Sequence, residues 1–88
     1  MEVEVSKPTK EELAKLGVKS WPIWEKEESV FDWSYDEKET CFFLEGNVEI
    51  VAGGKKISIQ KGDLVTFAQG LDCKWHIKKK VRKHYKFG

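Results

Sequence analysis

Glu39 and Lys83 each sit in a run where every second residue is apolar or aromatic. Glu39 shares its phase with Trp33, Tyr35, Cys41 and Phe43, and Lys83 shares its phase with Val81, Tyr85 and Phe87. Alternate side chains of a β-strand point to the same face, so both charges are expected to turn inward with the rings. A carboxylate and an ammonium are almost never fully buried unless paired. They should therefore share one enclosed space, as a buried ion pair or as two functional groups around a polar hole. A glutamate beside a lysine in an apolar barrel also has the composition of a general acid–base pair, which makes these two the candidate catalytic residues. Trp33, Tyr35, Cys41, Cys73, Trp75 and Tyr85 complete the inward set. A mostly apolar wall with a few convergent polar groups is the usual make-up of a small-molecule pocket. The plain alternative is a packed core in which rings fill the barrel and cysteines act as small hydrophobes.

Metal chemistry needs three or four convergent donors of suitable softness. Glu39, Cys73 and Cys41 are the candidate donors; Trp33 cannot ligate, and a neutral tyrosine such as Tyr35 is a poor ligand. No cofactor is expected, with a divalent metal on those three residues as the less favoured reading. His76 and His84 are out of phase with Trp75 and Tyr85 and are expected at the outer surface. No CxxC spacing is present, and reduced thiols are expected in preference to a Cys41–Cys73 disulfide.

The elements that must position these residues are short. "KPTKEELAKLG" begins with a capping box, Thr9 with Glu12, and ends at Gly17, which fits the residue after the last turn of one helix. From Trp21 onward the apolar period becomes two. In "WPIWEKE", Trp21 and Ile23 lie on one side and Trp24 on the other, while "FDWSY" puts Phe31, Trp33 and Tyr35 on one face. "ETCFFLEG" reads as a strand stopping at a turn at Gly46, and "NVEIVAGGKKISIQ" as a hairpin through Gly53-Gly54. A turn at Lys61–Asp63 precedes "LVTFA", another in "QGLD" precedes "CKWHIK", and "VRKHYKF" reads as the last strand. Short strands at even spacing predict a mainly β antiparallel barrel or sandwich with one short N-terminal helix. The expected layout is one domain over 1–88, with an arm and helix over 1–20 and the barrel over 21–88.

Composition narrows the function classes. The 88 residues are 35% charged, above the ordinary fraction of about 25%, as in heat-adapted chains rich in surface ion pairs. Net charge is +1, but it is unevenly spread: nine acids and two lysines from Glu25 to Glu49, then seven Lys/Arg and no acid after Asp72. Apolar residues interrupt the basic run at strand spacing, so pairing across a sheet is preferred to a nucleic-acid-binding tail. The opening "MEVEVSKP" is too acidic and too short in apolar length for a signal peptide, and no run approaches a membrane span. A cytoplasmic protein that binds neither nucleic acid nor membrane is the expectation.

Two spacings carry a family resemblance. Glu39 is followed by six residues and Gly46, and Gly62 by five residues, Ala68 and then Gly70, in "GDLVTFAQG". Together they resemble the two motifs of the cupins, with Ala68 where a proline is usual. "WPIWEKE", "FDW", "ETC", "LEG" and "VRKHY" look more narrowly like the single-domain cupins of the ureidoglycine aminohydrolase-like and ethanolamine-utilisation-like group, over about Trp21 to Tyr85. The resemblance implies a jelly-roll β-barrel with its site inside. It also implies positions for the family's metal ligands, two histidines, a glutamate and a third histidine. These fall on Trp33, Tyr35, Glu39 and Cys73, so the glutamate alone is kept. The resulting expectation is a cupin that binds a small polar molecule without the usual metal. The alternatives are an aminohydrolase- or isomerase-like metal enzyme with altered ligands, and a structural or protein-interaction cupin. Cupins often pair through sheet edges, so a homodimer is an open expectation, with "MEVEVS" as an exchanged strand and Trp21 or Trp24 at the contact.

Overall fold

Long stretches of alternating apolar residues bounded by glycine turns become seven antiparallel strands around one core. The computed structural model describes residues 3–88. It runs β1 (Val3–Ser6), α1 (Lys10–Leu16), a 3₁₀ turn (Val18–Ser20), β2 (Ile23–Lys26), β3 (Ser29–Ser34), β4 (Glu39–Ala52), β5 (Lys55–Gln60), β6 (Leu64–Phe67) and β7 (Asp72–Phe87). β4 and β7 pair along nearly their whole lengths, from Glu39 opposite Phe87 to Val51 opposite Lys74. The first part of β4 also pairs with β6 and the last part with β5, while the two ends of β7 pair with β3 and β2. One half of the fold is thus β1-β6-β4-β7-β2 and the other β5-β4-β7-β3, sharing the two long strands. The halves close over a single cluster that includes Phe43, Ile50, Ile59, Val65, Phe67, Ile77 and Val81. This is the jelly-roll barrel.

Two details differ from the expected elements. β4 and β7 are each one continuous strand, where a turn was expected at Gly46 and "CKWHIK" and "VRKHYKF" were read as two strands. Gly46 is not a turn but the site of a bulge: the β4–β7 register shifts between Phe43 and Val48, and Gly46 has φ +115. The buried residues of β4 are accordingly 39, 41 and 43, then 48 and 50: β4 advances five residues from Phe43 to Val48 while β7 advances six between their partners Lys83 and Ile77, which switches the inward face of β4 from odd to even. A Cβ on Gly46 would lie 2.8 Å from the Lys80 carbonyl oxygen and 2.8 Å from Val81 Cγ2, so β7 crosses closely at that point. The second difference is that the barrel begins before residue 21: the stretch whose alternating valines read as an edge strand or arm is an edge strand, with β1 paired to β6 and Val3 buried in the core, while Met1 and Glu2 lie outside the described residues.

The helix carries the expected capping box, with Thr9 Oγ1 accepting from the Glu12 amide and Glu12 Oε1 from the Thr9 amide. Gly17 closes it in the left-handed region. No residue of α1 is buried, so it lies over the outside of the barrel. No helix among the described residues is long and apolar enough to cross a membrane. The opposed charge runs do meet across the sheet: Arg82 and Lys80 of β7 pair with Glu25, Lys80 also with Glu27, and Lys78 with Glu49.

Candidate functional site

Except at Lys79, the odd-numbered residues of β7 are on its inward side, which puts Trp75, Lys83 and Tyr85 on one wall. β4 enters beside the far end of β7, so Glu39 and Cys41 face the same interior from the adjacent strand. Lys83 Nζ lies 3.0 Å from Glu39 Oε2 and donates also to Cys41 Sγ at 3.1 Å. Cys41 Sγ donates to the same Glu39 oxygen at 3.1 Å. Both charged residues are buried, Glu39 at 5% and Lys83 at 4% exposure. The ammonium is further surrounded by ring faces: Trp75 at 4.8 Å, Trp24 at 5.0 Å and Phe43 at 5.9 Å from its nitrogen. An aromatic cage that elsewhere recognises cationic ligands is filled here by the chain's own lysine.

The pair opens onto a cavity of about 200 Å³ lined by Trp24, Phe31, Trp33, Tyr35, Glu39, Trp75, Lys83, Tyr85 and Phe87. Trp75 is its hub, stacked against Phe31 at 5.9 Å and 13° and edge-on to Trp24 at 5.9 Å. Trp75 Nε1 donates to the Tyr35 hydroxyl at 3.3 Å. Tyr35 follows the last residue of β3 and is fixed through its backbone, donating to the Leu71 carbonyl and accepting from the Gly70 amide. Its ring stacks on Phe67 at 4.8 Å. Burial, and then the Glu39 charge, push the Tyr35 phenol far above its ordinary range, so it remains a hydroxyl.

Of the eight residues expected to line a pocket, six do: Trp33, Tyr35, Glu39, Trp75, Lys83 and Tyr85. Trp33 is not enclosed, however. It stands 49% exposed at the mouth with Phe87, because β3 is an edge strand there. Cys41 and Cys73 are buried but lie behind the lining, since their short side chains do not reach past the rings. Cys41 braces the Glu39–Lys83 pair, and Cys73 sits opposite Trp33 in the β3–β7 ladder. Both are free thiols. Burial pushes Cys41 up to about 12 and Cys73 up to about 11.

Sequence reasoning missed three lining residues. Phe31 and Phe87 carry the right phase, beside Trp33 and Tyr85, and could have been included on that signal alone. Trp24 was expected, with Trp21, as a contact residue on the outer surface; it turns into the barrel because β2 sets it opposite Lys83. Trp21 stays outside, half-buried, and its carbonyl meets His84 Nδ1 at 2.9 Å. His76 is exposed on the outer face, while His84 is half-buried beside the helix, more enclosed than a plain surface histidine.

The donors do not suit the divalent ion that the cupin resemblance implies. Glu39 Oε2 is engaged by an ammonium, Tyr35 and Cys41 hold their protons, Trp33 offers no lone pair, and Cys73 is set behind the lining. Among the described residues no three His, Cys, Asp or Glu side chains converge as a metal-holding group.

Residues 13–85 match the EutQ-like cupin domain. A crystal structure of a DUF861 family protein from Thermotoga maritima is 57% identical and superposes with a TM-score of 0.97, covering 99% of this chain and 100% of that one. The structure of the Clostridium difficile EutQ protein is 25% identical with a TM-score of 0.69, over 74% of this chain and 52% of that chain. A curated relative, acetate kinase EutQ of Clostridioides difficile (strain 630), is 28% identical over 69 residues, 78% of this chain. The chain spans 42% of the length of that relative. With this barrel, its strand order and a match over most of its length, the chain belongs to the EutQ-like cupin domain family.

Proposed function

We propose that the barrel interior binds a small polar molecule, without a resident metal, the molecule lying between the aromatic wall and the Glu39–Lys83 pair. One observation supports this above the others. The buried ion pair is not sealed by packing but borders a cavity whose mouth carries Trp33 and Phe87, both about half exposed. Ion pairs that serve only to hold a core together gain nothing from such an opening, and large exposed rings at a concave mouth are the usual mark of a contact site. The relatives' shared domain supplies the fold, and the kinase activity named for one of them belongs to a protein more than twice as long as the matched segment.

The test is a fragment screen followed by amide chemical-shift mapping on the labelled protein. Binders should shift resonances of Trp24, Trp75 and Lys83 together, and Trp33→Ala, an exposed and readily tolerated change, should weaken them. A screen in which nothing perturbs these residues sinks the reading. Metal analysis of the purified protein checks the other half: stoichiometric bound metal that disappears in Glu39→Gln overturns it.

A further inference from the structure

The unfilled hydrogen-bonding positions of the site define what it takes. The bonds to Glu39 converge on Oε2, which receives both Lys83 and Cys41. Among the described residues, every fully enclosed side-chain N or O atom has a partner. Oε1 has none among the described residues, so it keeps some access, and Glu39 lines the cavity. Lys83, by contrast, is satisfied: one hydrogen goes to Oε2, one to Cys41 Sγ, and ring faces of Trp24, Phe43 and Trp75 surround the rest. The Tyr35 oxygen already accepts from Trp75 Nε1, which leaves its own hydrogen to donate. What the cavity offers is therefore the Glu39 Oε1 acceptor, the Tyr35 donor, the hydroxyl of Tyr85 and rings.

The charge balance points the same way. Glu39 and Lys83 neutralise each other at 3.0 Å inside an apolar wall. An anion gains Lys83 only by competing with Oε2, and lies against a carboxylate. A cation at Oε1 shares that carboxylate with an ammonium already bound to its other oxygen. Each introduces a net charge where burial of unpaired charge is most costly. Resting on the binding reading above, we infer that the site selects an uncharged planar molecule whose N–H or O–H meets Glu39 Oε1 and whose acceptor meets the Tyr35 hydroxyl. A primary carboxamide on a ring has that pattern, and about 200 Å³ accommodates one ring and its amide.

Benzamide, benzoate and benzylammonium carry the same ring with neutral, negative and positive heads. Titrated into the protein at pH 7 and followed by amide shifts, benzamide should bind at least about tenfold tighter than either ion, a difference set by the head group alone. The two halves of the pair then give diagnostic reversals. Glu39→Gln leaves Lys83 uncompensated and should shift preference to benzoate; Lys83→Met leaves Glu39 uncompensated and should shift it to benzylammonium. Equal affinities, or an ion that binds best to the native protein, overturn the inference while leaving the cavity a binding site. Failure of all three to perturb the cavity at millimolar concentration removes the binding reading itself. Should either variant fail to fold, the ranking on the native protein still decides.

Discussion

Replacing Lys83 by methionine tests the enclosure of the ion pair most directly. Methionine keeps an unbranched stem among Trp24, Phe43 and Trp75, and its sulfur makes favourable contacts with rings, so packing is nearly conserved. What is lost is the charge. Glu39 is left 5% exposed with the Cys41 thiol at 3.1 Å as its remaining side-chain donor. Removing one member of a buried pair costs about 3–5 kcal/mol, a large share of the roughly 5–15 kcal/mol that holds a domain folded. For a chain of this length that corresponds to a fall in Tm of about 15–30 °C. Glu39→Gln should cost less, about 1–3 kcal/mol, because the ammonium keeps the Cys41 sulfur and its three ring faces, contacts that are worth about 2 kcal/mol when desolvated. The double variant Glu39→Leu with Lys83→Met should recover to within about 1 kcal/mol of the native protein, since apolar replacement of a whole buried pair is often neutral or stabilising. Urea unfolding of the four proteins at pH 7 reads all three numbers. A loss below about 1 kcal/mol for Lys83→Met, or a double variant no better than that single one, would show that the pair is not enclosed and that the reasoning from strand phase is wrong.

Gly46→Ala places a methyl 2.8 Å from the backbone of β7 at φ +115 and should cost about 3 kcal/mol or more in urea unfolding, whereas Gly53→Ala, at φ +56 with nothing within 4 Å, should cost about 1–2. Cys41, raised to about 12 and fully buried, should resist a thiol reagent at pH 8 in the folded protein and react at once in urea. The same shift fixes a pH dependence: above pH 9 the unfolded chain loses thiol protons that the folded chain keeps until about 11 and 12, so stability should fall as pH rises from 9 towards 12 and be insensitive to these groups below 9. Cys41→Ala should flatten that fall. Thr9→Ala removes a cap worth about 0.5–2 kcal/mol to the helix, yet no residue of α1 is buried; amide exchange in Lys10–Leu16 should quicken while the barrel's unfolding midpoint stays put.

What the sequence made legible is whatever a local period can carry. Alternation placed Glu39 and Lys83 on inward faces, and two adjacent glycines placed the hairpin at Gly53-Gly54, where Ala52 does oppose Lys55. The capping box at Thr9 and Glu12 is a contact between residues three apart and needs nothing from the rest of the fold. Depth is a different quantity from direction. Cys41 and Cys73 point the expected way but stop short of the cavity, because side-chain length against neighbouring rings decides who lines it. Trp24 was misjudged for another reason. Which side of β2 faces inward depends on its pairing with β7, a long-range register that a four-residue strand containing one half-buried ring does not announce.

Gly46 shows why these failures concentrate where the site is built. A glycine after a strand reads as a turn, and as a turn it would end β4 before Val48. In the barrel β4 runs on through it while its register with β7 shifts by one residue, so one strand buries Glu39, Cys41 and Phe43 in one half and Val48 and Ile50 in the other. Without that switch, continuing the odd phase through β4 would turn Val48 and Ile50 outward and bring Glu45 and Glu49 against the core. β7 needs no switch, because its odd residues face inward at both ends. Glu39 and Lys83 lie in the half where the register is unbroken, and the shifts around Gly46, where β7 passes closely at Lys80 and Val81, absorb the mismatch with the other half. The charged pair and the bulge are parts of one construction. Damage at Gly46 should therefore appear at the pair, some distance along the same strand, as well as in global stability.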